Sequence, residues 1–111
     1  MIIGVGVDIE NISEFKKNIK NTKFIKEIFT KKEIKYCIKK KEPWISFAGK
    51  FCAKEAVIKA FGKKIAIKEI EILNDLNNKP LIYIKRKKFD NINCSIAHTN
   101  KTAIAFVVLE K

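Results

Sequence analysis

The chain opens with a two-residue alternation. Ile3, Val5, Val7 and Ile9 share one side, and Gly4, Gly6 and Asp8 share the other with Ile2, which predicts a strand over residues 2–9. Residues 47–62 are apolar nearly all round a helical wheel, which predicts a helix inside the fold or an interface. Ser46 would cap its start, after a break at Pro43 and Trp44, and Gly62 would stop it. Between these stretches Ile12, Phe15 and Ile19 mark one helical face, and Phe24–Phe29 a short second segment. Thr30 and Glu33 have capping-box spacing and open a helix carrying Ile34, Cys37 and Ile38. After Gly62 the period returns to two. Ile70 and Ile72 alternate with charged residues, Leu81–Ile84 reads as a second strand, and Asn77–Pro80 is turn chemistry between them. The run Lys85–Lys88 reads as exposed. Cys94–His98 and Ala103–Leu109 close the chain as two strands joined by a turn at Thr99–Thr102. A chain of 111 residues with strands and helices in this order fits one α+β domain spanning 1–111.

Composition narrows the partners. Twenty-four basic against twelve acidic residues leave a net charge of +12, which calls for an acidic partner such as a phosphorylated ligand, an acidic protein or nucleic acid. Arg86 is the only arginine, and base-edge readout depends heavily on the arginine fork, so nucleic acid is the weaker reading. Cys37, Cys52 and Cys94 cannot all pair with one another and lack CxxC spacing, as expected of a reduced cytoplasmic protein. Met1 leads straight into Ile2 without a basic leader, and no stretch reaches membrane-spanning length, so neither a secretory signal nor a membrane partner is expected.

Charges interrupt the apolar patterns at few places. Lys50 and Lys54 lie together on one side of the central helix. Glu55 and Lys59 lie one turn apart on another, among Ala48, Cys52 and Ala56, either as an internal ion pair or as groups aimed at a ligand. Glycine within a strand marks close approach of another backbone or a ligand, and Asp8 follows two of them. Asp8 and Glu55 are hard-oxygen ligands suited to magnesium, an ion held by one or two carboxylates with waters and substrate phosphates. Lys50, Lys54, Lys59, Lys79 and His98 could contact a polyphosphate. No Walker A motif is present.

Three motifs in register, Gly6-Val-Asp8-Ile9, Phe51–Gly62 with its Lys54-Glu55-Ala56 core, and Ser95-Ile-Ala-His98, resemble the signatures of the holo-acyl-carrier-protein synthases, the short class of 4′-phosphopantetheinyl transferases. The resemblance covers essentially the whole chain. It implies an antiparallel sheet packed against the long central helix, and a homotrimer with active sites at subunit interfaces. It also implies magnesium-dependent transfer of 4′-phosphopantetheine from coenzyme A to a serine of apo-acyl carrier protein, releasing adenosine 3′,5′-bisphosphate, in support of fatty acid biosynthesis. Asp8 and Glu55 match the family's metal ligands, and with Lys59 its catalytic set. Lys50, Lys54, Asn78, Lys79, Pro80, His98 and Thr99 fall where coenzyme contacts are expected. An acidic carrier would dock on Lys16, Lys17, Lys20 and Lys23, with Glu14 standing where a basic residue is common. A small RNA-binding protein is the alternative, and would need aromatics interleaved with basic residues on a sheet face. Only Tyr83, ahead of Lys85 and Arg86, offers this.

Overall fold

A computed structural model describes residues 1–111. The chain runs β1 (Ile2–Asn11), α1 (Ile12–Asn18), α2 (Thr22–Ile28), α3 (Lys31–Ile38) and α4 (Pro43–Phe61). After one 3-10 turn at Ile67–Glu69 come β2 (Ile70–Asn74), β3 (Pro80–Ile84), β4 (Lys87–Lys88), β5 (Ile92–His98) and β6 (Thr102–Glu110). The architecture is α+β, with two antiparallel three-stranded sheets rather than one, in the orders β1-β6-β5 and β2-β3-β4. The first sheet lies on α4; the second flanks it beside α3 and β5.

α4 is buried on most sides, which explains its apolar wheel. It begins one turn before the Ser46 cap expected from sequence. Pro43 occupies the first turn and so starts the helix instead of breaking the chain, since its missing N–H and fixed φ suit that position. Gly62 ends it in the left-handed region at φ 67°. Thr30 and Glu33 form the expected reciprocal capping box at the start of α3.

The faces of β1 are the reverse of an ordinary sheet strand. Its bare face is turned inward: a methyl group on Gly4 would run into the carbonyl oxygen of Ala60, and one on Gly6 into that of Ala56. The two glycines let strand and helix backbones touch, and Asp8 is carried along that contact. The apolar face points outward. Ile3, Val5, Val7 and Ile9 are about half exposed, beside Ile104 and Phe106 of the paired β6. β6 supplies the inner face with Ala103, Ala105, Val107 and Leu109, all buried against α4. No helix is long and apolar enough to cross a membrane.

Candidate active site

Two groups of site residues emerge, on different parts of α4. The first gathers at the β1–α4 contact. Lys59 Nζ donates to the Val7 carbonyl at 2.9 Å and meets Asp8 Oδ1 at 3.4 Å. The internal Glu55–Lys59 ion pair, one of the two readings of that spacing, is absent, because Lys59 turns to β1. The second oxygen of Asp8 is buried without a hydrogen-bond partner. Burial, and then the Asp8 charge, push the Glu55 carboxyl above its usual range. Glu10, two residues along the same strand face, is pushed up to about 7, first by burial and then by Asp8 and Glu55. Sequence reasoning missed Glu10, although strand alternation from Asp8 places it on that face. No three His, Cys, Asp or Glu side chains converge as a metal cluster. A cation here would therefore rest on the carboxylate pair and take its other ligands from water or substrate.

The second group lines a cavity of about 530 Å³ between α3, the first half of α4, the β2–β3 turn and β5. Its walls include Lys50, Asn78, Lys79, Pro80 and His98, with Tyr36, Lys40, Asn74 and Ser95 beside them. Asn78 holds the turn in the left-handed region at φ 67°, which asparagine tolerates. Tyr36 Oη donates to its side-chain oxygen at 3.0 Å. Lys40 and Lys50 both stand 4.5 Å from the centre of the Tyr36 ring. Lys50 is buried to its ammonium, which donates to the Ile72 carbonyl and to Asn74 Oδ1; burial lowers its proton affinity. His98 stands at the end of β5, its Nδ1 3.2 Å from the Thr99 carbonyl oxygen. Cys94 also lines the cavity, its thiol pushed up to about 12 by burial and so kept protonated.

Two of the expected coenzyme contacts lie elsewhere. Lys54 is fully buried, paired with Glu33 at 2.6 Å and donating to the Ile28 carbonyl at 2.7 Å. It has no surface to offer a ligand. Its partner is twenty-one residues away in sequence, beyond the reach of helical spacing. Thr99 is not in the cavity wall: its hydroxyl closes the β5–β6 turn by accepting from Lys101 and Thr102 N–H groups at 3.1 Å each. The expected docking lysines Lys16, Lys17, Lys20 and Lys23 are all exposed, on α1, α2 and the turn between them; Lys16 lies 4.8 Å over the Trp44 ring. Asp8, Glu55 and Lys59 do not line the cavity of Lys50 and His98, so within one chain the two groups are separate.

Comparison with known proteins identifies the family. Residues 4–107 match the family model described as the 4′-phosphopantetheinyl transferase superfamily. The chain is 40% identical to the holo-[acyl-carrier-protein] synthase of Clostridium tetani, over 99% of this chain and 97% of that one. A crystal structure of a holo-(acyl-carrier-protein) synthase from Bacillus anthracis, in complex with CoA (3′,5′-ADP), superposes with a TM-score of 0.86 at 33% identity, covering 100% of this chain and 98% of that one. The Helicobacter pylori enzyme in complex with coenzyme A gives a TM-score of 0.82 at 32% identity, over 96% and 99% of the two chains. The chain belongs to the 4′-phosphopantetheinyl transferase superfamily, and within it to the holo-acyl-carrier-protein synthases.

Proposed function

We propose that this chain, a single domain, transfers 4′-phosphopantetheine from coenzyme A to a serine hydroxyl of an acidic acyl carrier protein, in the cytoplasm and in support of fatty acid biosynthesis. The observation that carries the reading is the presence in one chain of both an Asp8 carboxylate oxygen buried without a partner and a lysine- and histidine-lined cavity. The cavity's cationic wall suits the phosphates and adenosine of coenzyme A, the ligand named for the relatives from Bacillus anthracis and Helicobacter pylori. Lys50, Asn78, Lys79, Pro80 and His98 would make those contacts.

The outward apolar face of β1 supports assembly with further copies of this chain, since that much exposed aliphatic surface favours a covered interface. We infer a homotrimer in which the Asp8–Glu55 edge of one subunit meets the cavity of its neighbour. Magnesium fits Asp8 and Glu55 because Asp8 Oδ2 is buried and unpartnered, and two crowded carboxylates are relieved by a cation. When bound, the ion neutralises charge on the pyrophosphate.

In the reaction a bond forms between the carrier serine oxygen and the β-phosphorus of coenzyme A. The bond from that phosphorus to the bridging oxygen breaks, and adenosine 3′,5′-bisphosphate leaves with the electron pair. Lys59, half-exposed beside Asp8, offsets the charge arriving on the leaving phosphate. The serine proton passes to Glu55 or to solvent water. Exposed Lys16, Lys17, Lys20 and Lys23 would meet the acidic carrier, favouring encounter over chemistry.

Intact-mass measurement of apo-carrier incubated with coenzyme A and magnesium tests the reading. One phosphopantetheine added per carrier is the expected result, together with weaker binding of dephospho-coenzyme A. An unchanged carrier mass would overturn it.

A further inference from the structure

The wholly buried Glu33–Lys54 pair calls for a reason other than stability. Replacing a buried ion pair by well-packed apolar side chains is often neutral or stabilising, so such a pair is weak evidence for a stabilising role. What this one supplies is direction. Glu33 Oε1 accepts from Lys54 and from the Thr30 N–H at 2.8 Å, and Oε2 accepts from the Ile72 N–H at 2.7 Å. Lys54 in turn holds the Ile28 carbonyl at the end of α2. One pair of charges thus fastens α2, α3, α4 and β2.

Ile72 lies on the free edge of its sheet, because β2 is the outer strand in the order β2-β3-β4. Where a neighbouring strand would sit, two side chains take its place: Glu33 accepts the Ile72 N–H and Lys50 donates to the Ile72 carbonyl. Lys50 continues to Asn74 Oδ1 at 2.9 Å, and Asn74 Nδ2 to the Asn78 carbonyl at 3.3 Å. The chain of contacts runs from the buried pair, through both backbone groups of one residue, into the cavity wall.

We propose that Glu33 and Lys54 are positioning residues for the coenzyme cavity, acting through Ile72 to set Lys50 and the Asn74–Asn78 wall. The inference rests on the reading of that cavity as the coenzyme site. It separates the two adjacent lysine positions of the central helix: Lys50 borders the ligand, and Lys54 aims Lys50.

A double-mutant cycle on coenzyme A affinity tests it, measured by calorimetry with the full-length protein. The variants are Lys50→Met, the neutralised pair Glu33→Gln with Lys54→Met, and the combination of all three. If the pair acts through Lys50, neutralising it weakens binding about tenfold in the wild-type background, an ordinary size for coupled neighbours, and has no further effect once Lys50 is Met. Equal losses in both backgrounds, or no loss in either, would overturn the proposal, since a merely structural pair would cost the same with or without Lys50. Should the neutralised pair not fold, Glu33→Gln alone carries the test. One amide oxygen cannot serve the three donors that the carboxylate accepts, so the same dependence on Lys50 is expected. A wild-type protein that binds no coenzyme A would instead remove the reading of the cavity itself, and with it this inference.

Discussion

Lys54 and Glu55 are neighbours on α4, yet their charges are handled in opposite ways. Lys54 is removed from water completely and given a carboxylate, a backbone carbonyl and the face of the Phe29 ring. Glu55 feels the Asp8 charge, and one oxygen of Asp8 is left with no hydrogen-bond partner. A buried pair whose carboxylate oxygens and ammonium are all hydrogen-bonded is a fixed part of the framework. Crowded carboxylates with an unused oxygen repel one another, and a proton or a bound cation relieves that repulsion. The contrast teaches that a charged residue in a buried helix is not by itself a site. What distinguishes the site is what has been left unsatisfied.

The largest expected effect breaks the satisfied side. Lys54→Met alone strands the Glu33 carboxylate in the core and should cost about 3–5 kcal/mol of stability, read from urea unfolding. A loss below about 1 kcal/mol would mean that water reaches the pair. Next, Gly6→Ala forces a methyl against the Ala56 carbonyl and pushes β1 from α4. Overpacking of this kind costs about 1–3 kcal/mol, and transfer should fall further than stability because Asp8 moves with the strand. A variant with lowered stability and unchanged transfer would separate Asp8 from the chemistry.

The smallest effect concerns pH. Glu10 titrates near 7 in the folded chain against 4.5 ordinarily, and Glu55 is shifted in the same direction. Between those values the folded state holds more protons than the unfolded one. This contribution is therefore complete below the ordinary value and is lost as pH rises through about 7. Without divalent cations, melting temperature should decline across that window, and magnesium should flatten the decline. The opposite slope, abolished by Glu10→Gln, would show that these carboxylates are held by partners rather than crowded.

Much of the fold was legible because its signals are local. The Thr30–Glu33 box, the Gly62 stop, the Asn77–Pro80 turn and the place of His98 at a strand end each depend on a few adjacent residues. What escaped depends on distant pairing. Glu33 finds Lys54 only when α3 packs on α4, so capping logic alone accounts for half of what Glu33 does. Lys87 and Lys88 form an edge strand because Lys85 and Arg86 both turn left-handed, at φ 51° and 70°, a turn without its usual asparagine or glycine. The alternation of β1 was plain, but its apolar side faces outward, which no single-chain pattern reveals. Asp8, Glu55 and Lys59 of the proposed site were readable as charges breaking apolar patterns, whereas Lys54 broke the same pattern and lies wholly buried against Glu33.

The most direct test of the central claim is the melting temperature and transfer activity of Asp8→Ala, measured together in cation-free buffer and then with magnesium and coenzyme A. If Asp8 and Glu55 form a strained cation site, removing one carboxylate leaves the cation-free melting temperature equal to or above wild type. The stabilisation by magnesium disappears and transfer is lost. A variant that melts far below wild type without cation, yet still transfers phosphopantetheine in a magnesium-dependent way, would contradict it.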